Sequence, residues 1–301
     1  MKVQETKLKG FNIKIVHINN LLIGIATEIG PRILYFAIEK YPQKNLFSIC
    51  PEFGINTSEG FWRIYGGHRL WSAPEAKPRS YSLDDKPVEI RIEENNITIY
   101  GNPEKENFIK KEIMIKPFKR NSVQVIHKIQ NIGRWPIKLG CWAMSLMDGE
   151  GFVVIPIKAE KVDKEGLLPD RHFSIWPYTS LEDKRIKFND EYIYVMKDSK
   201  IEKPFKIGTM ANPTWAAYII ENMAFVKEFS KIEGEYPDFG CNVEVYTNAN
   251  ILEFETLGPL KTLEPDASIE HIEIWKILEI EKLEPTKSDI KNKLEPYLTK
   301  Y

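Results

Sequence analysis

The chain has 301 residues, 43% hydrophobic and 28% charged, which is the composition of an ordinary globular protein long enough to bury a large core. Its 42 Lys and Arg against 43 Asp and Glu leave a formal charge of −1, with no basic run to make a footprint for DNA or RNA. The polar start, Met1 to Lys7, lacks an apolar signal-peptide core, and no segment reaches the ~18 apolar residues of a membrane span, so a cytoplasmic protein without membrane contact is expected.

In chain order, period-two alternation predicts strands at 12–16, 21–27, 32–38, 88–93, 96–100, 108–116, 122–130 and 138–146. Further strands are predicted at 192–196, 215–220, 224–229, 242–247, 251–256 and 269–277. Turn residues such as Asn19-Asn20, Glu94-Asn95, Asn131-Ile132-Gly133 and Asn248-Ala249-Asn250 bound them. The connections are short, and the long amphipathic helices that a parallel sheet needs for its crossovers are missing, so an all-β antiparallel sandwich follows. Two Pro- and Gly-rich stretches, 54–78 and 149–177, read as long loops between strands. The tail, 287–298, reads as a helix with Ser288 as N-cap and Ile290, Leu294 and Leu298 on one stripe. No low-complexity linker divides the chain, and one domain spanning 1–301 is expected.

The chemistry concentrates in three places. In Leu252-Glu253-Phe254-Glu255, alternate side chains of a strand face the same way, so both carboxylates project together, opposite Leu252 and Phe254. Burying them unpaired would cost several kcal/mol, roughly, so they must meet cations, donors, water or a hydroxyl-rich ligand. The segment Tyr65-Gly66-Gly67-His68-Arg69-Leu70-Trp71 reads as a loop. Its glycines would admit a ligand close to the backbone, His68 and Arg69 could donate to hydroxyls, and Trp71 could stack on a pyranose face. As a purely structural loop, it would put Trp71 in the core and pair Arg69 with Glu75. A third mixture lies in Leu167–Tyr178, with Arg171, His172 and Trp176.

The remaining residues suggest less. His17 and His127 fall in predicted strands and read as structural, and His271 as solvent-facing. Cys50, Cys141 and Cys241 are odd in number, widely separated and in no zinc spacing, hence reduced core residues. No metal motif, phosphate loop or dinucleotide fingerprint is present, so neither a metal nor a cofactor is expected.

The layout resembles the galactose mutarotase (aldose 1-epimerase) superfamily, an antiparallel β-supersandwich of sugar-binding enzymes. The likeness is carried by Gly30-Pro31-Arg32-Ile33 with Asn45-Leu46-Phe47, by Gly66-Gly67-His68, by Gln130 to Met147, and by Phe254-Glu255-Thr256 with Leu263-Glu264-Pro265-Asp266 and Glu273-Ile274-Trp275. It covers nearly the whole chain. In that family a glutamate takes the anomeric proton while a histidine protonates the ring oxygen. The resemblance implies Glu255 as base, with Glu253 nearby. The family's acid histidine is replaced by Trp142, which cannot exchange a proton in this way. His68 or His172 would then have to serve, His68 first.

The expectation is therefore a carbohydrate-binding protein with a small-molecule sugar as partner, acting as an aldose 1-epimerase through Glu255 and His68. Arg32, Arg69, Trp71, Trp142, His172, Trp176 and Glu253 would line the sugar. The alternative is a non-catalytic sugar-binding or sensing protein on the same scaffold.

Overall fold

The computed structural model describes residues 1–298. Two antiparallel sheets, of 11 and 10 strands, pack face to face, so the all-β sandwich expected from the alternation is what forms. The first sheet runs Lys2–Leu8, Phe11–Ile18, Leu21–Ala26, Arg32–Ile38, His68–Ala73, Ile137–Leu146, Leu252–Leu257, Val243–Thr247, Phe205–Thr209, Phe173–Ile175. The short Lys261–Leu263 strand pairs with the start of Ile137–Leu146. The second sheet has Ser122–Asn131, Ser268–Glu279, Met223–Phe229 and Trp215–Ile220 at its centre. No helix among the described residues is long and apolar enough to cross a membrane.

Three readings need correction. The stretch 54–78 is not a loop: it holds a hairpin, Gly54–Thr57 with Gly60–Arg63, and then His68–Ala73, a central strand of the first sheet. Its polar residues hid that strand, because they are divided between its two faces, both of which are covered. The stretch 149–177 likewise contains Phe152–Pro156 and Phe173–Ile175. At the tail, Thr286 rather than Ser288 caps the helix, its side chain accepting from the Asp289 N–H at 3.3 Å. Ile290 and Leu294 are buried there as expected.

Glycine matters most where the chain enters the His68–Ala73 strand. Tyr65, Gly66 and Gly67 all have left-handed backbones, with φ of 53°, 96° and 70°. A Cβ on Gly66 would stand 2.1 Å from the Ser48 carbonyl oxygen, and one on Gly67 2.3 Å from that of Ile33. The close approach these glycines permit is to the protein's own backbone, not to a ligand.

Between the sheets, an apolar core centred on Phe36, Phe47, Phe225, Phe254 and Trp275 encloses a closed polar network. His127 Nδ1 lies 3.1 Å from the His271 carbonyl, so it carries the proton and donates there. His127 Nε2 then accepts from His68 Nε2 at 2.7 Å, and His68 Nδ1 accepts from the Ser145 hydroxyl at 2.8 Å. Glu273 receives the Trp275 indole N–H at 2.7 Å and the Thr256 hydroxyl, with the Lys227 ammonium 3.3 Å away. Burial would raise the Glu273 carboxyl, but Lys227 and the two histidines pull it down to about 2. Burial holds all three histidines below their usual range, His271 at about 4. His271 is thus buried in this network rather than facing solvent.

The pH dependence follows. A histidine neutral in the fold but protonated when unfolded contributes stability above its unfolded value of about 6.5, and loses it as pH falls towards its folded value. For His271 that window is pH 6.5 down to about 4. His271→Gln is expected to reduce the fall in unfolding free energy across it by up to about 1.4 kcal/mol per pH unit, one proton's worth. Urea denaturation of both proteins at pH 7, 6 and 5 measures this, and parallel pH slopes would contradict it.

Candidate functional site

Alternation on the central strands decides what faces the outer side of the first sheet. On His68–Ala73, His68 and Leu70 point into the sandwich while Arg69 and Trp71 point out. On Leu252–Leu257, Phe254 and Thr256 point in while Glu253 and Glu255 point out, as the sequence reading required. Register then builds two rows. One runs Arg32, Arg69, Met144, Glu255, Glu244, Gly208, and the next Leu146, Glu253, Tyr246, Lys206. Gly208 belongs there because a Cβ would meet Cys241 Sγ at 2.7 Å and Glu244 Cγ at 3.0 Å.

Above these rows lies a cavity of about 280 Å³. Its floor is Arg69, Trp71, Trp142, Met144, Lys206, Glu253 and Glu255. The hairpin contributes Trp62, the short turn Arg79–Tyr81 contributes Tyr81, and Tyr178 and Tyr246 close the far side. Trp71 is the hub of the aromatic wall, with centroids 5.5 Å from Trp62, 5.5 Å from Trp142 and 5.1 Å from Tyr81. A larger cleft, about 730 Å³, opens beside it between Gly30, Asp84 and Lys111. Two of its charges are engaged within the protein, Asp84 with Arg32 and Glu104 with Lys111, and among the described residues Trp71 is the one aromatic ring that lines it.

The ion pairs of the floor carry the chemistry. Lys206 Nζ sits 2.7 Å from Glu244 and 2.9 Å from Glu255, and its ammonium lies over the rings of Trp142 and Trp176, 4.6 Å from each centroid. Trp142 Nε1 donates to the same Glu255 oxygen at 2.9 Å. Burial pushes both Glu255 and Glu244 up from the usual carboxyl range, Lys206 opposes the rise, and Glu253 adds to it at Glu255. Burial alone would lower Lys206, but the two carboxylates hold it well above its ordinary value. Arg69 donates to Glu253 at 2.8 Å and lies over Trp71, 4.8 Å from its centroid. Its Nε and Nη1 are buried with no hydrogen-bond partner among the described residues.

The structure brings together Glu253, Glu255, Arg69, Trp71 and Trp142 at this cavity, with Trp176 against Lys206. Other candidates fall elsewhere. His68 is behind the sheet, bonded to Ser145 and His127, and does not meet Glu255. The assumption of a loop at 65–71 put His68 and Arg69 side by side, whereas a strand turns them to opposite faces. His172 is exposed, its Nε2 donating to the Gly240 carbonyl at 3.1 Å. Arg32 is wholly buried, holding the Ile64 and Gly66 carbonyls and Asp84. Arg69 pairs with Glu253 rather than Glu75, which receives the Tyr81 hydroxyl. No histidine lines the cavity.

Lys206, Glu244, Tyr81 and Tyr246 were not singled out from the sequence, whereas Tyr178 closes the 167–178 stretch that was. Lys206 left a signal: a lone lysine alternating between Phe205 and Ile207 in a short apolar run ending at Thr209.

No known family description matches this sequence, and no curated protein does. Solved structures do match in fold. A galactose mutarotase-like protein from Lactobacillus casei superposes with a TM-score of 0.61 at 10% identity, over 88% of this chain and all of that one. A candidate aldose 1-epimerase from Escherichia coli K12 gives 0.53 at 11% identity, over 90% and 100%. A TPR-domain containing protein from Parabacteroides distasonis gives 0.58 at 11% identity, over 97% of this chain and 50% of its own.

Lys206→Met would leave Glu244 and Glu255 buried without their cation, a loss of about 3–5 kcal/mol when both are ionised. Because protonation relieves the repulsion, the variant's deficit is expected to be largest at pH 8 and to shrink towards pH 5. Urea denaturation at the two pH values checks this, and a deficit independent of pH would contradict it.

Proposed function

We propose that this chain, which has the galactose mutarotase-like fold, is a carbohydrate-binding protein that takes one sugar ring in the aromatic cavity. The observation that carries this reading is the pairing of surfaces. Indole and phenol faces of Trp62, Trp71, Tyr81 and Trp142 suit the C–H face of a pyranose, while the Arg69 donors left without a partner among the described residues and the Glu253 and Glu255 acceptors suit its hydroxyls. The volume, about 280 Å³, is just below the roughly 300–1,000 Å³ typical of small-molecule pockets and suits a single ring. The fold of the mutarotase-like structures supports the same ligand class by analogy.

A second reading is isomerase activity of the aldose 1-epimerase type, favoured by the direct contact of Glu255 and Lys206. Glu255, its carboxyl raised above the ordinary range by burial, would accept the proton of the anomeric hydroxyl. The ammonium of Lys206, 2.9 Å from it, would donate to the ring oxygen. The C1–O5 bond breaks as C1=O1 forms, the open-chain aldehyde turns about its C1–C2 bond, and the C5 hydroxyl adds back to either face of the carbonyl, after which the protons return. Trp142 would steady the base with its N–H, in the place where the resemblance calls for an acid histidine.

Two measurements test the readings separately. Titration of glucose and galactose, followed by tryptophan fluorescence, is expected to show binding that Trp71→Ala weakens by roughly tenfold and that His68→Asn leaves unchanged. No response to any aldose would remove the binding reading. Polarimetry of freshly dissolved α-glucose is expected to show faster anomer exchange with the wild type than with Glu255→Gln. Equal rates with and without protein would remove the isomerase reading and leave binding.

A further inference from the structure

The outermost strand of a sheet presents unpaired backbone groups, and proteins keep such edges apart with charge, proline or a covering segment. The two ends of this sandwich differ in that respect. At one end the outermost strands are Lys2–Leu8 and Glu89–Ile92, and Lys2, Glu5, Lys7, Glu89 and Arg91 supply the charge. At the other they are Phe173–Ile175 of the first sheet and Ile186–Phe188 of the second. The latter carries Lys187 on the outer face of its sheet, opposite Tyr194. Phe173-Ser174-Ile175 has no charge, and among the described residues its backbone pairs only with Phe205–Thr209.

The core is left open at this end. Ile175 pairs with Ile207 and Phe188 with Ile193, and both partners belong to the core, so Phe173, Ile175 and Phe188 point into the space between the sheets. The Phe173 and Phe188 rings meet across it with centroids 5.4 Å apart. Even so, the three residues are 41%, 46% and 51% exposed. On the other face of the same strand, Ser174 Oγ donates to the Asp238 carbonyl at 2.5 Å and holds a turn whose Phe239 is 96% exposed. Covering a side chain of this size removes roughly 200 Å² from water, so the four present on the order of 450 Å² of apolar surface, in the range of patches that mark interaction sites. That is also about the apolar share of the roughly 800 Å² that each partner gives to a stable interface.

We infer that a second copy of this chain docks at this edge, continuing the 11-stranded sheet across a two-fold axis at Ser174 to make a homodimer. An uncharged edge strand is complementary to itself, because antiparallel pairing about a two-fold axis satisfies both backbones alike. Centred on Ser174, the pairing sets Phe173 against Ile175 of the second copy and Ile175 against its Phe173, on the face that points between the sheets. Each copy thereby closes the open core of the other. A formal charge of −1 leaves little long-range repulsion between them. The dimer is independent of the sugar reading.

Sedimentation velocity across a wide range of protein concentration tests this on the wild type, Phe173→Glu, Ile175→Lys and Phe239→Asn. The wild type is expected at twice the chain mass at the upper concentrations. Phe173→Glu and Ile175→Lys should each be monomeric, and an equal mixture of the two should recover the dimer. In that mixture the new carboxylate faces the new ammonium, and the unchanged Ile175 of one faces the unchanged Phe173 of the other. Phe239→Asn should raise the dissociation constant roughly tenfold or more, since two rings lose their cover. A wild type that stays monomeric throughout overturns the dimer, as does a dimer indifferent to all three substitutions. Edge variants that dissociate and do not recover on mixing overturn the pairing at Ser174. Circular dichroism separates loss of the dimer from loss of the fold. Should an edge variant unfold, Phe239→Asn decides alone, because the ring is almost fully exposed and asparagine accepts the left-handed backbone, with φ of 63°, better than phenylalanine does.

Discussion

The strict two-residue alternation of the central strands, under conditions where neither face is exposed, is the constraint on which the rest depends. His68–Ala73, Ile137–Leu146 and Leu252–Leu257 lie side by side in the first sheet, with the second sheet behind them and the hairpin and aromatic loops in front. Each strand therefore contributes polar groups to two buried environments at once. His68, Ser145 and Thr256 serve the interior, and Arg69, the Trp142 indole and Glu255 serve the cavity. A slip of one residue in any of these strands would exchange the two sets, which ties the register firmly to the burial pattern.

The two environments solve the same electrostatic problem differently. Behind the sheet, one ammonium, Lys227, faces one carboxylate, Glu273, and neutral histidines complete the hydrogen bonds. That network is balanced and closed. In front, one ammonium, Lys206, serves two carboxyls, and Arg69 retains donors with no hydrogen-bond partner among the described residues. Buried polar groups in excess of their partners are costly. An arrangement that is incomplete by itself, at the floor of an aromatic cavity, is what a site for a polar ligand requires. His127, structural as expected, is joined in that closed network by His68, expected to be catalytic, and His271, expected to face solvent.

Much of this was legible in the sequence, and the failures have physical causes. The Glu253 and Glu255 alternation placed both carboxylates correctly, because Leu252 and Phe254 are unambiguous core residues. Trp71 and Arg69 were found because the 65–71 segment concentrates polar and aromatic groups, and Trp142 through the family resemblance. The strand at His68–Ala73 was missed because both of its faces are covered and each mixes polar with apolar residues, His68, Leu70 and Ser72 inward and Arg69, Trp71 and Ala73 outward, so no hydrophobic alternation survives. That single misreading paired His68 with Glu255. The partners of Glu255 were invisible for another reason: Lys206 and Glu244 come from strands brought alongside only by the order of the sheet, which local pattern does not encode.

The central claim is that a sugar is bound in front of the sheet, where Glu255 lies, and not among the histidines behind it. Two indole N–H groups report on the two sides, since Trp142 donates to Glu255 and Trp275 to Glu273. A ¹⁵N-resolved NMR titration with an aldose follows both at once. The Trp142 indole resonance, with that of Trp71, is expected to shift in a saturable way while that of Trp275 stays in place. A shift of Trp275 with Trp142 unmoved, or no saturable shift at Trp142, would contradict the account.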